Sequence, residues 1–260
     1  MVRSSWRIKK GNVMEKKFEN LIYGIRAVIE TIHSGKDLEK VFVQKGLKGD
    51  LVKELLLLLH QNKIPLSTVP VEKINRFTRK NHQGVVAFVS PVQYHKIEHV
   101  LPEIFENRRV PLILVLDRVT DVRNFGGIAR TAECMGVDAI LIPTKNSAQI
   151  NADAIKTSAG ALNFIPVCRE SNFKEALQFL KDSGLQLVAS TEKAESFFQD
   201  IDLMGPTAIL MGSEDEGISP VFLDMANKQV KIPITGEIES LNVAAATAMA
   251  LYEVNRQRFI

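Results

Sequence analysis

Three short segments in the C-terminal half combine side chains able to do chemistry with glycines that open the backbone to a ligand. The first runs from Leu116 through Asp117, Arg118, Asp121, Asn124, Gly126 and Gly127 to Arg130 and Glu133. An apolar run, 112–116, precedes it, so charge, amide and glycine follow directly on a buried strand. In an open parallel sheet a ligand binds there, beyond the carboxyl ends of the strands. The second segment is Gly212-Ser213-Glu214-Asp215-Glu216-Gly217, again just after an apolar strand. It lacks the Gly-Lys-Ser/Thr ending of a phosphate-cradling loop, and its three acids would repel phosphate. Gly212 lets a ligand come close to the backbone. Such a loop suits an adenosine-type or cationic ligand. The third segment spans 232–248 and sets Ile232 and Ser240 ahead of an Ala-rich helix that opens with Leu241 and Asn242.

Most of these residues also have a purely structural reading. Asn124 stands where a helix begins and serves equally as its N-cap, and so does Ser240. Arg130 is either a solvated helix charge, paired with Glu133 at i+3, or a functional cation. Asn242, in a first helical turn, has no evident structural reason, which favours function. His95-Lys96-Ile97-Glu98-His99 matches the His-x-x-Glu-His pattern of inverted zinc peptidases. It lies among prolines in a polar stretch with no third ligand, so no metal site is expected.

The elements that must position these residues fall into two blocks. In residues 18–92, Ile25, Val28, Ile29 and Ile32 share one face of a helix over 24–32. A strand at 41–43, a helix at 50–59, a strand at 64–69, a short helix at 71–77 and a strand at 84–89 follow. This alternation predicts a small layered α/β domain. A polar link at 91–102 leads to the second block, 103–260. There the apolar strands 112–116, 139–142, 185–189, 208–211 and 230–232 alternate with helices at 124–135, 172–180 and 241–256. Near-continuous apolar strands predict a parallel sheet covered on both faces. No Gly-x-Gly-x-Gly turn follows an early strand, which argues against a Rossmann-type site.

The 260 residues suffice for one large or two smaller domains. No apolar run is long enough to span a bilayer, and no signal peptide is expected, because no apolar region follows the N-terminal charges. Cys134 and Cys168 are read as two buried thiols in a reducing cytosol. The net charge is +3, but residues 1–17 form a basic arm of net +5, leaving the remainder at −2. Any polyanionic partner must therefore be held by a local patch rather than the overall field. The arm itself reads as a tail, with Met14 an alternative start.

Together, in order and spacing, the three segments resemble the signature motifs of the SpoU-type RNA ribose methyltransferases of the SPOUT (trefoil-knot) superfamily, across the whole second block. The first block, with Tyr23-Gly24-Ile25-Arg26-Ala27-Val28 and His82-Gln83-Gly84-Val85-Val86-Ala87, is similar to a ribosomal-protein-like RNA-binding domain. That domain precedes the catalytic one in the bacterial 23S rRNA guanosine-2′-O-methyltransferase branch. One departure is Asp121-Val122-Arg123-Asn124, where the family has Asp-Pro-x-Asn; no reactive group is lost.

The resemblance implies a knotted parallel-sheet α/β catalytic domain that binds S-adenosylmethionine against Gly212, Ile232 and Leu241. It implies Arg130 as the central catalytic residue, with Asn124, Glu214, Ser240 and Asn242 around it, and no metal. A guanidinium stays protonated, so Arg130 is expected to fork onto an RNA phosphate rather than act as a base. Arg76, Arg79, Lys80 and His82 become the expected RNA-facing patch, otherwise a solvated loop. The expected protein is a cytoplasmic homodimer whose active site is completed at the subunit interface, acting on a guanosine of large-subunit (23S) ribosomal RNA. Rival readings are a tRNA guanosine ribose methyltransferase, a thiostrepton-resistance-type enzyme acting on an adenosine ribose, and a non-catalytic RNA-binding or assembly protein. The last would be expected to have lost Arg130, Asn124 or Asn242.

Overall fold

The computed structural model describes residues 20–238 and 240–259. The basic arm at 1–17, with Met14, lies outside the described residues. The chain divides into two compact units, one ending at Val89 and the other running from Ser90.

The first unit holds β1 (Leu21–Tyr23), α1 (Ile25–His33), β2 (Leu38–Gln44), α2 (Asp50–Gln61), β3 (Leu66–Val69), α3 (Val71–Asn75) and β4 (Val85–Val89). Its sheet order is β1-β4-β2-β3, with only β2 and β3 parallel. Val28 and Ile29 of α1, with Leu55 and Leu59 of α2, seal one sheet face against Val41, Val43, Val85 and Ala87. Each fully buried aliphatic side chain of this kind contributes roughly 1.5–3 kcal/mol. The sequence reading missed only β1, which is too short to show a period.

The second unit holds β5 (Tyr94–His95), α4 (Ile97–Glu106), β6 (Leu112–Leu116), α5 (Val122–Cys134), β7 (Ala139–Pro143), α6 (Ala152–Thr157), β8 (Val167–Glu170) and α7 (Phe173–Asp182). It continues with β9 (Gln186–Ser190), β10 (Ser196–Phe197), β11 (Thr207–Met211), α8 (Pro220–Leu223), β12 (Lys228–Lys231) and α9 (Val243–Phe259). The sheet order is β10-β12-β9-β11-β6-β7-β8-β5, and every pairing is parallel.

Strand periodicity sorts the core into two layers. Leu112, Leu114 and Leu116 of β6 join Ile128 of α5 and Leu251 of α9 on one face. Ile113 and Val115 join Leu101 of α4 and Leu177 of α7 on the other. Burial on both faces is why these strands read as unbroken apolar runs.

The stretch read as a polar link contains β5 and the first half of α4, and β5 pairs with β8 at the sheet edge. Pro102 lies inside α4. Its missing N–H costs one helical bond, and the burial of Ile97, Val100, Leu101 and Ile104 outweighs it. Cys134 is exposed rather than buried, because it ends α5 at the surface. Cys168 is buried in β8, where burial first, and then the neighbouring Glu170, pushes its thiol up to about 12.

At the lower edge of the sheet, Asp138 accepts from Leu112 N at 2.9 Å and pairs with Arg109. Arg258, near the end of α9, donates from Nε to Leu203 O at 3.0 Å and from Nη2 to Gly205 O at 2.6 Å. That tie fixes α9 along the sheet. Because all strands run one way, the carboxyl ends of β6, β9, β11 and β12 share the opposite rim.

Candidate active site

Four loops leave that rim, and two helices start there. Asp121 caps α5, accepting from Asn124 N at 2.7 Å through Oδ1. Asn124 is therefore not the cap, and its side chain is free to point elsewhere. The cap of α9 is Asn242, not Ser240: its Oδ1 accepts from Ala244 N at 3.0 Å and Ala245 N at 3.4 Å. Its carbonyl takes the first helical bond, from Ala246 N at 2.9 Å. Asn242 thus has the structural role the sequence did not reveal.

The amide of Asn242 has a second use. Nδ2 donates to Asn124 Oδ1 at 3.1 Å and also to Glu214 Oε1. Asn124 Nδ2 donates to the same Glu214 oxygen at 3.0 Å, and Val243 N at 3.2 Å. One carboxylate oxygen therefore collects three donors from the first turns of α5 and α9. Helix N-termini carry partial positive charge and unspent N–H groups, so a carboxylate is held well there. Charge-assisted bonds of this kind are about twice as strong as neutral ones.

Small residues let the parts close up. Gly127 of α5 has Ala244 of α9 as the nearest neighbour to where its Cβ would be, 3.8 Å away. Beside the triangle, the loop after β11 folds back on itself, with Ser213 N bonded to Gly217 O at 3.1 Å and Gly217 N to Ser213 O at 3.0 Å. A Cβ on Gly212 would lie 2.1 Å from the Gly217 carbonyl carbon. Only glycine fits that approach.

This loop walls a cavity of about 310 Å³. Gly212, Ile232 and Leu241, the three residues expected to hold a cofactor, all line it, as do Glu214 and Ser240. Asn124 and Asn242 reach it only through Glu214. Ser190, which ends β9, and the residues up to Lys193 form a further wall that the sequence reading missed. The available signal was positional: they follow a buried parallel strand, as the other loops do.

Arg130 is not in the cavity wall. Six residues past Asn124, it lies about 9 Å further along α5 and roughly 120° around it. It is exposed, and among the described residues its side chain makes no hydrogen bond or ion pair, so the Glu133 pairing is not formed.

In the first unit, Arg76, Arg79 and Lys80 are exposed between α3 and β4. His82 is placed differently. Gly84 N donates to its Nδ1 at 2.9 Å, and its Nε2 meets Asn75 Oδ1 at 2.9 Å. Both ring nitrogens are engaged by protein groups, which ties the stretch between α3 and β4 together. His95 and His99 fall on β5 and α4, and among the described residues no group of three His, Cys, Asp or Glu could hold a metal. No helix of the described residues is long and apolar enough to cross a membrane.

Residues 111–252 match the SpoU rRNA Methylase family, and residues 21–95 match the RNA 2′-O ribose methyltransferase substrate-binding domain. A "Putative TrmH family tRNA/rRNA methyltransferase" of Staphylococcus saprophyticus is 33% identical over 240 residues, covering 92% of this chain and 96% of that protein. The A. aeolicus TrmH/SpoU tRNA modifying enzyme is 30% identical, with a TM-score of 0.53 over 61% of this chain and 84% of its own. The AdoMet-bound rRNA methyltransferase from Sinorhizobium meliloti shares the fold at 24% identity, with a TM-score of 0.58 over 91% and 86% of the two chains. These matches are consistent with the knotted parallel-sheet fold expected from the motifs. The chain belongs to the SpoU rRNA Methylase family of RNA 2′-O-ribose methyltransferases.

Proposed function

We propose that the chain uses S-adenosylmethionine to methylate a guanosine ribose 2′-hydroxyl of large-subunit ribosomal RNA, in the cytoplasm and as a homodimer. One observation carries the reading: Asn124, Glu214 and Asn242 are locked together at the edge of a cavity lined by Gly212, Ile232 and Leu241.

The cavity fits the cofactor chemically. Ile234 and Leu241 expose apolar side chains at its wall, 39% and 37% accessible, which suits an adenine ring. Glu214 and Asp215 supply negative charge suited to a sulfonium. The peptides of Ile234 to Ile238 make no backbone hydrogen bond among the described residues, which leaves polar groups for a ligand. When bound, S-adenosylmethionine supplies a methyl group already activated for in-line displacement.

The chain's own task is then to place the ribose oxygen and ease the loss of its proton. Three donors on Glu214 Oε1 fix its carboxylate in place, which supports a positioning role. Arg130, with an unspent guanidinium, is assigned to an RNA phosphate next to the reacting ribose and to charge developing on its oxygen. Its distance from the cavity supports a site completed by a second copy. On α9, Ala245, Met249 and Tyr252 form an exposed stripe that a second copy would cover.

The family description favours ribosomal RNA. The likeness to a tRNA modifying enzyme keeps tRNA as the competing substrate. Mapping ribose methylation in cells lacking the gene separates them: one unmethylated guanosine in large-subunit RNA is expected, and a lost tRNA site would overturn the assignment. Sedimentation should show twice the chain mass, and a fully active monomer would refute the shared site.

A further inference from the structure

Arg118 lies two residues past β6, beside the Gly212–Gly217 loop, and the function proposed above leaves it without a role. It is a non-glycine residue at φ +59°, a left-handed backbone that L side chains adopt at a cost. The contacts at its tip account for the conformation. Nη1 pairs with the Glu216 carboxylate, and Nη2 donates to Gly217 O at 3.1 Å. Nε lies 3.5 Å from Asp117 Oδ2 and is sealed from solvent. Asp117, only 3% exposed, accepts from Ser219 N at 2.6 Å. Asp117 and Arg118 thus grip the far end of the loop whose near end, Glu214, is held by Asn124, Asn242 and Val243 N.

We infer that Arg118 is a positioning residue: its guanidinium, spanning Glu216 and the Gly217 carbonyl, fixes the loop that walls the cavity and so sets cofactor affinity rather than the rate of methyl transfer. The inference rests on the reading of that cavity as the S-adenosylmethionine site. Two features make the side chain specific for the task. A planar fork reaches a carboxylate and a carbonyl at once, which a single ammonium does not reproduce. Neutralising Glu216 also relieves repulsion within the run Glu214-Asp215-Glu216, leaving the first two acids to the cavity. The near-end anchor is independent of Arg118, so the Asn124–Glu214–Asn242 geometry survives its loss.

Glycine at 118 keeps the left-handed path and deletes the brace, so it separates the two contributions. The full-length chain is compared with Arg118→Gly, Arg118→Lys, Glu216→Gln and the double variant Arg118→Gly/Glu216→Gln. Cofactor affinity is read by calorimetry with S-adenosylmethionine alone, rate by kcat at saturating cofactor and RNA, and loop opening by hydrogen exchange. Loss of a charge-assisted pair at a partly open site should weaken cofactor binding about tenfold in Arg118→Gly. Turnover at saturation should stay within about twofold, as for lost uniform binding. Exchange should speed up at Gly217 and Ser219. The lysine variant should recover part of the affinity. The double variant should be no worse than Arg118→Gly, because both changes break one contact. A lower melting temperature with unchanged cofactor affinity, or additive losses in the double variant, would overturn the inference. A parent protein that fails to bind S-adenosylmethionine would overturn the cavity reading itself.

Discussion

Asn242 donates its Nδ2 to Asn124 Oδ1 at 3.1 Å, joining the first turns of two helices 118 residues apart in sequence. The same asparagine caps α9 through its Oδ1. Helix capping and the proposed active site therefore share one side chain but use different atoms of it.

Serine at 242 separates them. A serine cap keeps most of the helix stabilisation, whereas alanine loses about 1 kcal/mol. Both variants remove the amide donor to Glu214 and Asn124, and turnover should fall at least about tenfold in each. Melting temperature and kcat, measured together, check this. An active Asn242→Ser enzyme would show that only capping matters.

What was legible in the sequence, and what was not, follows from the range of each interaction. The longer buried strands and amphipathic helices were visible because their patterns are local, whereas β8, β10, α6 and α8, of two to six residues each, are too short to show one. The cavity lining by Gly212, Ile232 and Leu241 was within reach only through the order of three motifs. Cap identity was not: Asp121 and Asn124 are both good caps, and only the turn geometry chooses between them. The His82–Asn75 contact was not legible, because it runs from a loop without periodicity back to the end of α3, seven residues away. The Pro102 signal hid α4, whose apolar stripe outweighs one missing bond. The wall from Ser190 to Lys193 depends on β9 lying next to β11, and strand order is a long-range property.

Asp138 supplies a pH test of the fold. Burial raises its carboxyl above 3.8, opposed by the Leu112 N–H and then by Arg109 and Arg258. The native state therefore binds this proton more readily than the unfolded chain. By linkage, the site gains stability as pH falls through the raised native value towards 3.8, and its charged form carries the full penalty above that window. Asp138→Asn keeps an acceptor for Leu112 N and removes the charge. It should match or exceed the parent's stability at pH 7 and lose that advantage as pH falls through the window. Asp138→Ala should cost about 1–3 kcal/mol, since the buried Leu112 N–H loses its acceptor. Urea unfolding across the pH range checks both. A greater loss for Asn at neutral pH than in acid would mean that the Arg109 pairing outweighs desolvation.

Arg130 should matter to rate and not to cofactor binding, since it lies outside the cavity wall. Arg130→Ala should lower single-turnover methylation with saturating RNA by about a hundredfold, as for other lost donors to developing charge. Arg130→Lys should also be poor, because the fork is lost. S-adenosylmethionine affinity should match the parent in both. Near-normal turnover in the alanine variant would remove Arg130 from the mechanism.

The last prediction concerns RNA selection by the first unit. Arg76, Arg79 and Lys80 are exposed on one loop, held in shape by the His82 brace between Asn75 and Gly84. The chain beyond the basic arm carries net charge −2, so its general attraction for RNA is weak and a few placed cations must supply affinity. Reversing Arg76, Arg79 and Lys80 to Glu should weaken RNA binding. It should also flatten the log–log salt dependence by about one unit per lost phosphate contact. Cofactor affinity should not change. His82→Ala acts differently: it removes no phosphate contact, so it should weaken binding by loosening the loop while leaving the salt slope near the parent's. Deleting the residues before Met14 should have the smallest effect. RNA affinity measured across a salt series for all four proteins decides the matter. If the triple variant matches the parent and the arm deletion loses the slope, the arm is the RNA-binding element and the loop is only solvated.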